Sequence, residues 1–166
     1  MKLVTAAVAF AMLLGGGAAG AQKLLWQTPG NGASPQQLVR FLYPQQVTLA
    51  AGKPATIEIH FLVNQGLHIN SHAPLQKSLI RTELIEAEPE GVRIAAVNFP
   101  PGEDYAFPAE PSQKLSVYSG EFVLRMHLTA QRGDHQLAGE LRYQACDAHT
   151  CFPPRNLPVS IDVIGQ

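Results

Sequence analysis

The residues best suited to chemistry in this chain are its two cysteines, Cys146 and Cys151. They bound the loop Cys146-Asp147-Ala148-His149-Thr150-Cys151, which runs on into Phe152-Pro153-Pro154. The C-x4-C spacing is neither the C-x-x-C of a thioredoxin-type centre nor one half of a paired zinc ribbon. Two chemistries stay open. As a staple, a disulfide closing a ring of about six residues is weakly justified, because it removes chain entropy worth only roughly 2 kcal/mol. As an exchange site it is well placed: a partner thiolate must reach one sulfur in line while the other cysteine stays close enough to resolve the mixed disulfide. His149 favours a thiolate and Asp147 opposes one, and the sequence does not sign the sum. Each proline after Phe152 sets φ and removes an amide donor, which fixes the loop's exit.

Histidines supply a second candidate chemistry. His68 and His72 lie four apart in Gly66-Leu67-His68-Ile69-Asn70-Ser71-His72-Ala73-Pro74. On a helix this spacing would present two imidazoles to one metal ion, yet Gly66 and Pro74 bracket a stretch that reads as a strand end or a polar turn. A copper or zinc site built from His68, His72 and His149 together with the cysteines is the reading from a different class. Residues 100–108 form a polar loop carrying Tyr105 and Phe107 without strand periodicity. Such aromatics either tuck against a sheet edge or cover a reactive site and move aside for a partner.

The elements that must position these residues read as strands. Ile57, Ile59, Phe61 and Val63 alternate with Glu58, His60 and Leu62, the period of two expected where one face is buried. The same period recurs at Phe122, Leu124, Met126 and Leu128, and at Val159, Ile161 and Val163. Weaker candidates cover 79–87, 92–98, 114–118 and 137–145, separated by turn signals such as Pro89-Glu90-Gly91 and Ser119-Gly120. Seven or eight short antiparallel strands imply an all-β, immunoglobulin-like sandwich. If Leu137, Leu141 and Tyr143 point inward, parity sends Cys146 to the surface side with Arg142 and Gln144, unless a bulge at the strand end reverses it.

Composition narrows the function. The 166 residues carry Lys+Arg 12 against Asp+Glu 13, a net charge of -1, so the basic excess that neutralises a phosphate backbone is missing and nucleic acid is not an expected partner. A hydrophobic share of 46% with 15% charged residues argues against disorder, and 13 Pro with 14 Gly argue against a helical bundle. Met1-Lys2, the apolar run 3–14 and the small residues ending in Ala19-Gly20-Ala21 have the pattern of a secretory signal peptide cleaved after Ala21. No later run is long enough to span a bilayer, so the mature chain is expected to be soluble outside the cytoplasm, where disulfide chemistry is permitted. The expected organisation is a signal peptide over 1–21, an irregular leader over 22–46 with one short helical possibility at 35–39, and a single domain over 47–166.

Tyr143-Gln144-Ala145-Cys146-Asp147 followed by Cys151-Phe152-Pro153-Pro154 resembles the active-site signature of the N-terminal periplasmic domain of the DsbD family of thiol:disulfide interchange proteins. Gly66-Leu67-His68-Ile69-Asn70-Ser71 resembles an upstream segment of many relatives, and the similarity extends from about residue 47 to 163. The resemblance implies that Cys146 and Cys151 are a redox pair working without a cofactor. It implies a membrane-embedded electron donor and, as acceptors, periplasmic thioredoxin-like proteins, disulfide isomerases and cytochrome c maturation factors. It also implies an aromatic cap over the pair, Phe107 or else Tyr105, with Tyr143, Asp147 and His149 as further residues around the cysteines. Well-known members place one more residue between their cysteines and carry membrane and thioredoxin-like domains, so this chain is expected to act as a free-standing carrier served by a separate membrane protein. A non-catalytic interaction domain with a structural disulfide is the remaining alternative.

Overall fold

The structure, a computed structural model, describes residues 37–166 apart from Glu88 and Ala109. The expected signal peptide and cleavage site, and most of the expected leader, lie outside the described residues. Twelve strands follow one another among those described: β1 (Val39–Tyr43), β2 (Gln46–Leu49), β3 (Pro54–Val63), β4 (His68–Asn70), β5 (Glu83–Glu86), β6 (Val92–Asn98), β7 (Glu103–Ala106), β8 (Lys114–Tyr118), β9 (Glu121–Ala130), β10 (Gly133–Tyr143), β11 (Ala145–Cys146) and β12 (Arg155–Gly165). They form three four-stranded sheets with orders β1-β3-β9-β6, β2-β12-β10-β5 and β11-β4-β8-β7.

The strongest alternations build the frame. Ile59, Phe61, Val63, Leu124, Met126 and Leu128 from the first sheet are buried in one cluster with Leu137, Leu141, Val159, Ile161 and Val163 from the second. Each such side chain contributes roughly 1.5–3 kcal/mol by leaving water, so a one-residue slip in β3 or β9 would expose a whole face and is strongly disfavoured. The result is the all-β, immunoglobulin-like sandwich expected, with more strands than the seven or eight the alternations suggest. The additional ones are short. In β4 all three residues are buried, and in β11 both are, so neither shows a period of two.

Four further expectations are corrected. The stretch read as an irregular leader holds β1, which pairs antiparallel with β3, and the first residue of β2. No helix forms at 37–39; Asn64 instead donates from its amide to the Leu38 carbonyl at 3.0 Å and ties this segment to the end of β3. The pairing of β2 with β12 is parallel, whereas the remaining strand pairs are antiparallel. The supposed loop 100–108 contains β7, an edge strand of the third sheet.

The third sheet gathers chain from both layers of the sandwich. β3 passes through a turn at Gly66, with φ at 80°, into β4. β8 turns at Gly120, with φ at 60°, into β9. A side chain at either position would be strained, since L-residues rarely adopt positive φ. β10 continues through Gln144 into β11, leaving its partner β12 for β4. Ile69, Tyr118 and Ala145 extend the common core under this sheet and hold it in place.

Candidate functional site

The cysteine loop is a miniature hairpin whose turn is specified by Asp147. The amide of Asp147 donates to the Thr150 carbonyl at 2.9 Å, and the amide of Phe152 donates to the Ala145 carbonyl at 2.8 Å. These two bonds flank Cys146 and Cys151, which therefore face each other as the non-hydrogen-bonded pair of an antiparallel bridge, the arrangement that brings side chains closest. Their Cα atoms are 3.9 Å apart and the sulfurs are joined in a disulfide. The Asp147 carboxylate accepts from the amides of His149 at 2.7 Å and Thr150 at 2.8 Å, the Asx-turn habit of an aspartate opening a turn. Gln144 adds a hydrogen bond from its amide nitrogen to the Phe152 carbonyl at 3.1 Å.

The two sulfurs sit in opposite surroundings. Cys146 is 1% exposed, while Cys151 is exposed. This corrects the expectation that Cys146 faces the surface side of its strand. Parity counted from Tyr143 fails because β10 stops there: half-buried Gln144 breaks the strand, and the face of Cys146 is set by its new partner β4. In that pairing Ala145 lies opposite Ile69 and Cys146 opposite His68.

His68 is 3% exposed, and its ring lies 4.2 Å from that of Tyr105 at an interplanar angle of 34°. Burial pushes its pKa below the usual histidine range, with the Asp147 charge opposing in part. Its Nε2 is buried without a hydrogen-bond partner. The sequence offers His68 as a metal ligand or as a hydrogen-bonded residue of a polar turn, since its place opposite Cys146 depends on a pairing between two very short strands far apart in the chain.

The other candidates are dispersed. Tyr105 reaches the neighbourhood of the cysteines through His68. Phe107 is partly buried in the turn after β7, its amide directed at the Gln113 carbonyl. Tyr143 belongs to the core, where burial raises its pKa and its hydroxyl lies against the backbone of Leu38 and Val39. His149 is exposed. His72 stacks on Phe99 at 4.0 Å and places Nδ1 2.9 Å from the Thr82 carbonyl. No group of three His, Cys, Asp or Glu able to hold a metal ion occurs among the described residues. Nor is any helix among them long and apolar enough to cross a membrane.

The turn carries its own pH dependence. The hydrogen bonds from the His149 and Thr150 amides hold the Asp147 carboxyl below the usual aspartate range. A depressed folded value means that the carboxylate's contribution is complete above the ordinary aspartate pKa and is lost as pH falls through the lowered one. In an acid titration followed by NMR, the His149 and Thr150 amide signals should move together with a midpoint below that of an unperturbed aspartate. An ordinary midpoint would contradict this, and Asp147→Ala should abolish the transition.

A family described as thiol:disulfide interchange protein DsbD, N-terminal, matches residues 38–161. Among solved structures the chain is similar to the DsbD N-terminal domain of Neisseria meningitidis in its reduced form, at 19% identity and a TM-score of 0.43, covering 65% of this chain and 77% of that one. It is also similar to the N-terminal periplasmic domain of ScsB from Proteus mirabilis, at 12% identity and a TM-score of 0.47, covering 75% of this chain and 43% of that one. No curated protein matches. With the family match running from the residue before β1 into β12 and including both cysteines, the chain belongs to the DsbD N-terminal domain family.

Proposed function

We propose that this chain carries out thiol:disulfide interchange in the periplasm, passing reducing equivalents from a membrane-embedded donor to oxidised thioredoxin-like and disulfide isomerase proteins through Cys146 and Cys151. The observation that carries the reading is the asymmetry of the disulfide, one sulfur exposed and the other buried. Exchange needs in-line access to one sulfur and a resolving thiol held beside it, and the hairpin supports both requirements. The donor's thiolate attacks Cys151 Sγ, the disulfide bond breaks, and Cys146 leaves as the thiolate. The donor's second thiolate then displaces Cys151, so that two electrons enter the pair and the donor becomes a disulfide. No cofactor is required. The periplasmic setting rests on the family and on the secretory pattern of residues 1–21.

The test is transfer. Mixed with an oxidised thioredoxin-like protein, the reduced chain should hand over two electrons, counted as free thiols gained by that protein; a structural staple would hand over none. Tyr105, rather than Phe107, takes the role of cap in this reading because its ring covers the imidazole beside Cys146. Tyr105→Ala should therefore accelerate reduction of the disulfide by a small thiol several-fold, while Phe107→Ala leaves the rate unchanged. Equal rates in all three proteins would remove the cap from Tyr105.

A further inference from the structure

We propose that His68 is the proton acceptor of the redox pair: when the disulfide opens, its imidazole takes up a proton and holds Cys146 as a thiolate. The inference rests on the exchange reading and adds to it the residue paired with the buried cysteine across the β11–β4 ladder. Cys151 pairs with Cys146 across the hairpin, and Cys146 pairs with His68 across the β11–β4 ladder. Register partners in a sheet project from the same face, with Cβ atoms about 4.5–5.5 Å apart, so Cys151, Cys146 and His68 form one row.

Two features of that row call for a proton acceptor. A thiolate released at Cys146, which is 1% exposed, is cut off from the water that would otherwise solvate it, and an unpaired buried charge is costly. On its register partner, His68 Nε2 is a buried polar atom with no partner in the oxidised state. Buried polar atoms are almost always bonded, and one that is not calls for an explanation, of which a catalytic or redox role is one. A disulfide sulfur offers it almost nothing, whereas a thiolate offers both a charge and an acceptor.

The groups facing His68 suit this cycle. β11 supplies Cys146, β7 supplies the Tyr105 ring, and the hairpin turn supplies the Asp147 carboxylate, which favours the imidazolium. On β8, the Tyr118 hydroxyl is engaged elsewhere, donating to the Pro100 carbonyl at 2.9 Å and accepting from the His72 amide at 3.1 Å. With the disulfide closed, burial keeps the imidazole neutral. As the pair is reduced, the donor's two thiols release two protons. One goes to the Cys151 thiolate and the other to His68, beside the Cys146 thiolate. In the reverse direction Cys151 attacks the acceptor's disulfide, Cys146 resolves the mixed disulfide, and both protons pass to the acceptor's thiols.

The experiment isolates the buried thiol. Cys151→Ala leaves Cys146 as the only thiol, and its thiolate is followed by ultraviolet absorbance against pH, with and without His68→Gln. The thiolate fraction at neutral pH should fall roughly tenfold or more when His68 is replaced, because an adjacent imidazolium depresses a thiol's pKa by at least about a unit. Coincident titrations would overturn the proposal. The unsubstituted full chain gives a second reading that no folding defect can obscure: the His68 ring nitrogens, titrated by NMR in the oxidised and reduced states, should protonate at higher pH when reduced. Identical titrations would again overturn it. Neither readout involves a partner protein, so a chain that fails to transfer electrons but shows this coupling refutes the relay while leaving the His68 assignment standing.

Discussion

Cys151→Ala abolishes disulfide exchange and traps no partner, whereas Cys146→Ala accumulates a mixed disulfide with a thioredoxin-like protein. This pair of outcomes is expected because only Cys151 is open to in-line attack, while Cys146 is buried against β4. Removing the buried cysteine leaves an exposed nucleophile with nothing to resolve the intermediate, so the intermediate persists. Turnover should be lost completely in both variants, and non-reducing electrophoresis or intact mass separates them. Equal trapping by both variants would show that the difference in burial does not govern which sulfur is attacked. Neither substitution should unfold the protein, since the ring of about six residues accounts for only roughly 2 kcal/mol of chain entropy.

Phe61→Ala should be the most damaging single change to stability, at about 3–5 kcal/mol. Phe61 has no exposed surface, and its ring stacks on Phe122 at 5.3 Å and tilts against Phe41 at 5.8 Å. It lies on β3 between β1 and β9, so the cavity would open in the middle of the first sheet and could collapse only by moving paired strands. Against a typical total of roughly 5–15 kcal/mol, this is a large fraction of the stability. A chemical denaturation midpoint measured with the disulfide intact would check it; a loss below about 1 kcal/mol would mean that the site relaxes freely. The sandwich is held by its core rather than by its disulfide, and the pair can be reduced and oxidised on a frame that stays folded.

What can be read in the sequence follows from strand length. β3, β9 and β12 are long, bury one face each, and show their period directly at Ile57 to Val63, Phe122 to Leu128 and Val159 to Val163. β4, β7 and β11 have two to four residues and show no usable alternation, so the third sheet, apart from β8, is invisible to periodicity. That sheet carries the site. The cysteine loop stands out by its spacing and the residues around it, yet the face of Cys146 depends on where β10 ends and on its exchange of partner from β12 to β4. His68 is conspicuous as a histidine, but nothing local to Gly66-Leu67-His68-Ile69 announces a neighbour on another strand. Tyr105 sits in a stretch dominated by proline and acidic residues, which hides the short β7 that presents it.

The central claim, that Cys146 and Cys151 form an exchangeable pair, is tested most directly by their reduction potential in the mature domain, equilibrated against glutathione with a chelator present. The account predicts a value between about -180 and -270 mV, the span of proteins that exchange disulfides. A value below about -300 mV, where structural disulfides lie, would contradict it and leave a stapled binding domain.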